Sequence, residues 1–122
     1  MRTPLSTVVL LLLLLIPSVL RARDASEDKR IEYLLQTVEA LKGSVFIRNG
    51  TGYGGKDAGQ HLRLKLKMAG DRVKTAEGFI EICAARSSVS GAAYKIRLPD
   101  GTISEPAPFF RAKLREYDEA HK

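Results

Sequence analysis

An unbroken apolar run from Val8 to Ile16 is the feature that most constrains this chain. Met1-Arg2 places a positive charge before the run, and Pro17-Ser18 ends it ahead of the first acidic residue, Asp24. This is the layout of a secretory signal peptide. A membrane-spanning helix needs about 20 apolar residues, so the run is too short for a comfortable span. We therefore predict a signal peptide over residues 1–22 and a periplasmic or secreted protein.

The cleavage position stays open, because Leu20 rather than alanine stands two positions before Ala22, the best small residue. An uncleaved segment would be the chain's contact with a membrane. Residues 23–122 suffice for one hydrophobic core but not for two independent domains. We expect a single domain over these residues.

Cys83 is the only cysteine, so no intramolecular disulfide can form. Residues 23–122 carry 18 basic and 14 acidic residues, a modest basic excess. Export argues against nucleic acid as a partner. An anionic envelope polymer or phospholipid head groups stay open as ligands of a basic face, and so does the alternative of a solvated surface.

Four segments show apolar residues at helical spacing, which predicts four helices. In the second of them, we expect the basic side chains Arg63, Lys65 and Lys67 to face solvent and the helix to end before Gly70. In the third, the same spacing places Cys83 toward the core. The predicted helices begin near Ser26, Lys56, Thr75 and Pro108.

Two segments have the composition of strands. Val45-Phe46-Ile47 is β-prone and leads through the turn signal Asn49-Gly50 into the stretch Gly50–Gly55, which we expect to be a flexible connection. The alternation over residues 94–98 predicts a half-buried strand with a short returning partner at Thr102-Ile103. The order of elements predicts a small α+β domain of about four helices with a short antiparallel sheet.

Gly50, Gly52 and Gly55 fit the G-x-G-x-x-G spacing of a dinucleotide site. Such a site also needs a second parallel strand ending in an acidic residue about 20 residues on, whereas Asp71 follows a predicted helix. The same segment nearly fits a phosphate loop, but Asp57 stands where a hydroxyl should bind magnesium. We expect a turn here and no cofactor.

Weak candidates for catalysis are Ser88 and Ser90, with His61 as a general base. Asp57 lies one helical turn before His61 and could orient its ring, although the two also fit an ordinary surface pair. The nucleophile elbow G-x-S-x-G is absent. No spacing of histidines, carboxylates or the single cysteine resembles a metal site.

Donor side chains concentrate in the middle of the chain, and together with the ring of a tyrosine they could bind an anion, a sugar or a peptide. A solvated basic face is the alternative. The candidate ligand-binding residues are Arg48, Tyr53, Arg86, Ser87, Ser88 and Arg97.

Several blocks of sequence resemble a family of small exported bacterial proteins defined only as a domain of unknown function, numbered 5329. The resemblance implies export and a single domain, and it brings no activity, substrate or catalytic residue. The shared loop over residues 85–91, which contains Ser87, Ser88 and Ser90 and is called the serine loop, is our first choice for a common site. The main blocks are residues 31–35, 46–50, 69–77, 85–91 and 96–101.

Taken together, the residues predict an exported binding or interaction module of the cell envelope without catalytic activity, directed to an anionic envelope polymer or to another exported protein. One alternative is a small envelope hydrolase that uses Ser88 or Ser90 with His61. Another is a structural subunit that binds its partner through the apolar face of the last helix.

Overall fold

The structure, a computed structural model, describes residues 23–122, so the predicted signal peptide lies outside the described residues. Residues 23–122 form four helices and one antiparallel sheet of four strands, which confirms the predicted α+β class. The helices are α1 (Ala25–Ala40), α2 (Gly55–Ala69), α3 (Ala76–Phe79, continuing with π geometry over Ile80–Ala84) and α4 (Pro106–Ala120). The strands are β1 (Val45–Arg48), β2 (Thr51–Tyr53), β3 (Lys95–Arg97) and β4 (Ile103–Ser104).

The strands are ordered β2-β1-β3-β4, and each neighbouring pair is antiparallel. Phe46 lies opposite Tyr53 on one side and Ile96 on the other. Because side chains alternate between the faces of a sheet, these three and Arg48 share the inner face that packs on the helices. Arg97 belongs to the opposite, outer face.

The stretch Gly50–Gly55 is not a flexible connection, and that prediction was wrong. Asn49 and Gly50 both adopt positive φ angles, 50° and 80°, which is the geometry of a two-residue hairpin turn. Thr51 pairs with Arg48 directly across the turn, so the residues that follow form β2. The turn signal therefore marked a hairpin; of the glycines beyond it, Gly52 lies in β2, Gly54 is the N-cap of α2 and Gly55 is its first residue.

The helices enclose one core beneath the inner face of the sheet. Phe79 and Phe110 are fully buried and meet edge to face, with their ring centroids 6.4 Å apart. Leu34 and Leu35 of α1 and Ile96 of β3 complete the centre of this core. Phe110 and Leu114 of α4 are buried in this core, whereas Phe109 and Tyr117 on the same helix are half-buried, and the structural-subunit alternative stays a hypothesis.

The observed helix starts agree with the predicted ones at α3 but differ from them at α1 and α4. The Thr75 hydroxyl accepts a hydrogen bond from the Gly78 N–H at 3.0 Å, which confirms the predicted cap of α3. α1 begins after Asp24 rather than after Ser26, and α4 begins at Pro106 rather than near Pro108. None of the helices in the described part of the chain is long and apolar enough to cross a bilayer.

Candidate ligand-binding cavity

A cavity of about 180 Å³ lies between the inner face of the β1–β2 hairpin and the helices. Its wall is mainly apolar and comes from the sheet and from α2, α3 and α4. An apolar cavity of about 150 Å³ is large enough to take up benzene. The space therefore suits a small ring or a short acyl chain. The apolar wall comprises Phe46, Ala58, Leu62, Ala84, Tyr94 and Phe110.

Four polar side chains stand at the mouth of this cavity, namely Arg48, Tyr53, Asp57 and His61. Arg48 is the centre of the group: its Nη1 lies 2.8 Å from Nε2 of His61, and its Nη2 lies 3.4 Å from the Tyr53 hydroxyl. Its guanidinium carbon also lies 5.5 Å from the centre of the Tyr53 ring. Its hydrogen-bond partners within residues 23–122 are the neutral side chains of His61 and Tyr53. The Asp57 carboxylate lines the same cavity and carries the opposite charge, but no ion pair joins it to Arg48 among the described residues, so the guanidinium keeps donors for an anion.

The contact with Arg48 determines the protonation state of the His61 ring. A guanidinium can only donate hydrogen bonds, so Nε2 of His61 accepts and the ring is neutral. Burial lowers the pKa of His61 below its usual value, and the charges of Arg48 and Lys65 lower this pKa further. No hydrogen bond joins Asp57 to His61 among the described residues, and Nε2 of His61, which a general base would need free, is taken by Arg48.

The serine loop that follows α3 is a closed turn. The buried Ser87 hydroxyl accepts from the N–H groups of Val89 and Ser90, at 3.2 and 3.3 Å. The Ser90 hydroxyl donates to Oδ1 of Asn49 at 2.8 Å. These contacts fasten the loop to the β1–β2 turn. Ser87 and Ser90 therefore act as turn and tether residues, while Ser88 stays exposed.

The predicted ligand-binding residues fall into separate places. Arg48 and Tyr53 meet at the cavity mouth, and Ser88 borders a neighbouring groove together with Arg48. Arg86 lines a different groove, where acidic side chains also lie, and Arg97 is exposed on the outer face of the sheet. The structure therefore brings two of the six residues together around the cavity and separates Arg86 and Arg97 from it.

Lys65 is a residue whose role the sequence interpretation missed. We expected it to face solvent, but it is buried, and its Nζ donates to the Arg86 carbonyl at 2.7 Å and to the Tyr94 hydroxyl at 2.9 Å. A sequence signal was available, because residue 65 shares the helical stripe of Ala58, Leu62 and Ala69. Lys65 fastens the start of the serine loop to α2.

An open groove of about 320 Å³ adjoins the cavity on the other side of the Arg48–His61 pair. Cys83 borders it from the π segment of α3 and is buried, as predicted. Burial raises the pKa of the Cys83 thiol, which keeps the thiol protonated and poorly nucleophilic. Within residues 23–122, no three histidine, cysteine or carboxylate side chains come together in a way that could hold a metal ion.

Comparison with known proteins identifies relatives of this chain. The model of a family described as "Family of unknown function (DUF5329)" matches residues 25–118. The uncharacterized protein YfeK of Salmonella typhimurium is 38% identical over 86 residues, which cover 70% of this chain and 71% of the relative. No solved structure matches the chain significantly. The chain therefore belongs to the DUF5329 family, whose function is unknown.

Proposed function

We propose that this protein is a non-catalytic binding module of the cell envelope, and that its ligand is a small anion with an apolar body. The observation that carries the proposal is the position of Arg48, a cation with neutral partners at the mouth of an apolar cavity. An apolar body would bury its surface against Leu62, Ala84 and Phe110. Its anionic group would meet the guanidinium.

The energetics favour this class of ligand over a purely apolar or purely polar one. A hydrogen bond to a charged group contributes about 1.5 to 3 kcal/mol, which corresponds to roughly 10-fold to 100-fold in Kd. Tyr53 and the neutral ring of His61 already hold the guanidinium in place, so less side-chain freedom is lost when the ligand binds. An envelope polymer could present only a terminal group of this size to the cavity.

Export belongs to the same proposal. It is supported by the signal-like layout of residues 1–18. We place the binding module in the periplasm or outside the cell. A fusion of residues 1–22 to an export reporter tests this point, and a reporter that stays in the cytoplasm would contradict it.

A thermal-shift experiment on residues 23–122 tests the ligand class. Benzoate and hexanoate should stabilise the domain, and benzyl alcohol and hexanol should do so much less. A ligand at one hundred times its Kd adds about 2.7 kcal/mol to the free energy of unfolding. Equal stabilisation by the anions and the alcohols would contradict a role for the charge.

Two matched arginine variants test whether benzoate binds at the cavity. Arg48→Met should raise the Kd for benzoate about 10-fold to 100-fold. Arg97→Met makes the same change of charge on the outer face of the sheet and should leave the Kd unchanged. If both variants weakened binding equally, the anion would be responding to the general basic charge of the domain.

The hydrolase alternative retains one supporting observation, which is that Ser88 and His61 border the same groove. Two contacts disfavour it: Nε2 of His61 accepts from Arg48, and the Ser90 hydroxyl donates to Asn49. Turnover of a small ester that is lost in both Ser88→Ala and His61→Ala would favour the hydrolase over the binding module. Turnover retained in both variants would exclude these residues as its catalytic pair.

A further inference from the structure

The groove beside the Arg48–His61 pair gathers large apolar side chains that the core does not use. Leu64, Met68, Ile82 and Val89 border it and are 53%, 74%, 37% and 92% exposed. They come from three elements, namely α2, the π segment of α3 and the tip of the serine loop. Such clustering on one face marks an interaction surface, whereas single exposed apolar residues are ordinary.

The charges around this apolar cluster have one sign. Arg48 and Arg72 border the same groove, the buried ammonium of Lys65 is already held by the Arg86 carbonyl and the Tyr94 hydroxyl, and none of the described residues that line the groove is Asp or Glu. A surface that joins protruding apolar tips to cations complements the boundary between anionic head groups and acyl chains.

We propose that this face docks on an anionic lipid bilayer, with Met68 and Val89 entering the acyl boundary and Arg72 meeting the head groups. Both apolar side chains protrude, one near the end of α2 and the other at a loop tip, so they can enter a soft surface without a shaped partner. A second copy of the chain fits less well. A symmetric contact would bring the cations of one groove against the same cations of the other.

The path of the chain agrees with this orientation. Arg23, the first described residue, donates from Nε to the Val73 carbonyl at 2.8 Å, just beyond the C-terminal end of α2. Met68 lies in the last turn of α2, and Arg72 ends the short 3-10 turn Gly70–Arg72 that follows it. If the signal segment is retained, which is the uncleaved alternative, the run Val8–Ile16 would keep the chain at a membrane, and this run precedes Arg23 closely in the sequence.

Co-sedimentation of residues 23–122 with lipid vesicles tests the docking surface. This fragment carries the whole described core, and a cooperative thermal transition confirms that each variant is folded. The domain should sediment with phosphatidylglycerol vesicles and much less with phosphatidylcholine vesicles, and added salt should release it. Arg72→Gln should weaken partition about fivefold, the equivalent of about 1 kcal/mol per charge near an anionic surface.

Substitutions of the exposed apolar side chains test their contribution to membrane binding. Met68→Ser and Val89→Ser should each weaken partition by about fivefold or more. Ile103→Ser removes a side chain that is 59% exposed on the outer face of the sheet and should leave partition unchanged. These substitutions avoid the wall and mouth of the cavity, so benzoate binding stays as a separate readout, and the two proposals can fail independently.

Three results would overturn the docking proposal. The first is that the domain binds phosphatidylglycerol and phosphatidylcholine vesicles equally well, or binds neither. The second is a loss in Ile103→Ser as large as the loss in Met68→Ser. The third is self-association in analytical ultracentrifugation that disappears in Met68→Ser while vesicle binding is absent, which would assign the face to a second copy of the chain.

Discussion

Arg48 and His61 form a pair in which one cation holds one neutral ring, and this pair determines how the cavity mouth responds to pH. The first cause of the lowered pKa of His61 is burial, and the charge of Arg48 is the second. As the pH falls below the ordinary value of 6.5, the unfolded chain therefore takes up a proton at His61 before the folded domain does. His61 costs stability in that range and has no such effect above it.

His61→Gln should therefore reduce the loss of stability between pH 6.5 and the lowered pKa of the folded ring, because glutamine takes up no proton. Urea unfolding at pH 7.5 and pH 5.5 measures the difference. A wild-type free energy of unfolding that falls no more than that of the variant would contradict the neutral assignment. In Arg48→Met, the NMR titration of His61 should give a pKa closer to the ordinary value, because one of the charges that lower it is gone.

Lys65 shows how one buried cation can fasten a loop. Lys65→Met keeps most of the apolar stem but leaves the Arg86 carbonyl and the Tyr94 hydroxyl without their donor. We expect a loss of about 1 to 3 kcal/mol in the free energy of unfolding, measured by urea denaturation. Lys67→Met, at an exposed position of the same helix, should change it by less than about 0.5 kcal/mol. Equal effects of the two substitutions would show that the buried contacts contribute nothing.

At the scale of elements, the close approach of α2 to α1 depends on glycine. A Cβ atom at Gly55 would collide with the carbonyl oxygens of Val38 and Leu41, whereas Gly54 has open space around it. Gly55→Ser should cost about 1 to 3 kcal/mol through overpacking. Gly54→Ser should stay within about 0.5 kcal/mol, because serine is also a favoured N-cap. Thermal unfolding of both variants checks this prediction, and similar values would contradict the close contact.

The same two helices are joined at the surface by one arginine and two carboxylates. Arg63 donates to Glu32 at 2.7 Å and to Glu39 at 2.7 Å, and these hydrogen bonds lower the pKa of both carboxyl groups. The unfolded chain therefore binds protons at these groups first as the pH falls below their ordinary value of 4.5. The stabilisation is present above that pH and is lost as the pH falls through the lowered values.

Arg63→Gln should lower the free energy of unfolding by about 0.5 to 1 kcal/mol at pH 7, a modest amount because the three groups are partly exposed to solvent. The difference from wild type should shrink below pH 4.5, since the carboxylates then lose their charge. Urea denaturation at pH 7 and at pH 3.5 measures both values. A difference that grew at the lower pH would contradict the account.

How far the sequence predicts these elements depends on the strength of each local pattern. Four helices and the β3–β4 hairpin were predictable because their apolar periods are clear, and Thr75 was a readable cap. β2 was missed because a strand of three residues, Thr51–Tyr53, has glycine at its centre and no apolar alternation. The π geometry of Ile80–Ala84 leaves no mark in composition, although it shapes the wall that Ala84 contributes to the cavity.

At the scale of the whole molecule, the site was predictable in its residues but not in its grouping. Arg48 and Tyr53 were both candidates, but their meeting depends on the register that the Asn49-Gly50 hairpin sets. The separation of Arg97 could have been predicted, because it alternates with the inward Ile96 along one strand. The cavity itself results from the packing of α2, α3 and α4 on the sheet, and no local pattern encodes such packing.

The central claim is that an anion with an apolar body enters the cavity and meets Arg48. Methyl NMR of residues 23–122 during a titration with benzoate tests it most directly, because Ala58 and Ala84 place methyl groups in the cavity wall and Ala120 is exposed far along α4. We predict that the Ala58 and Ala84 signals move together with one saturable Kd, that Ala120 stays still, and that Arg48→Met raises this Kd. Saturable binding of benzoate that leaves the Ala58 and Ala84 signals in place, or no binding at all, would contradict the account.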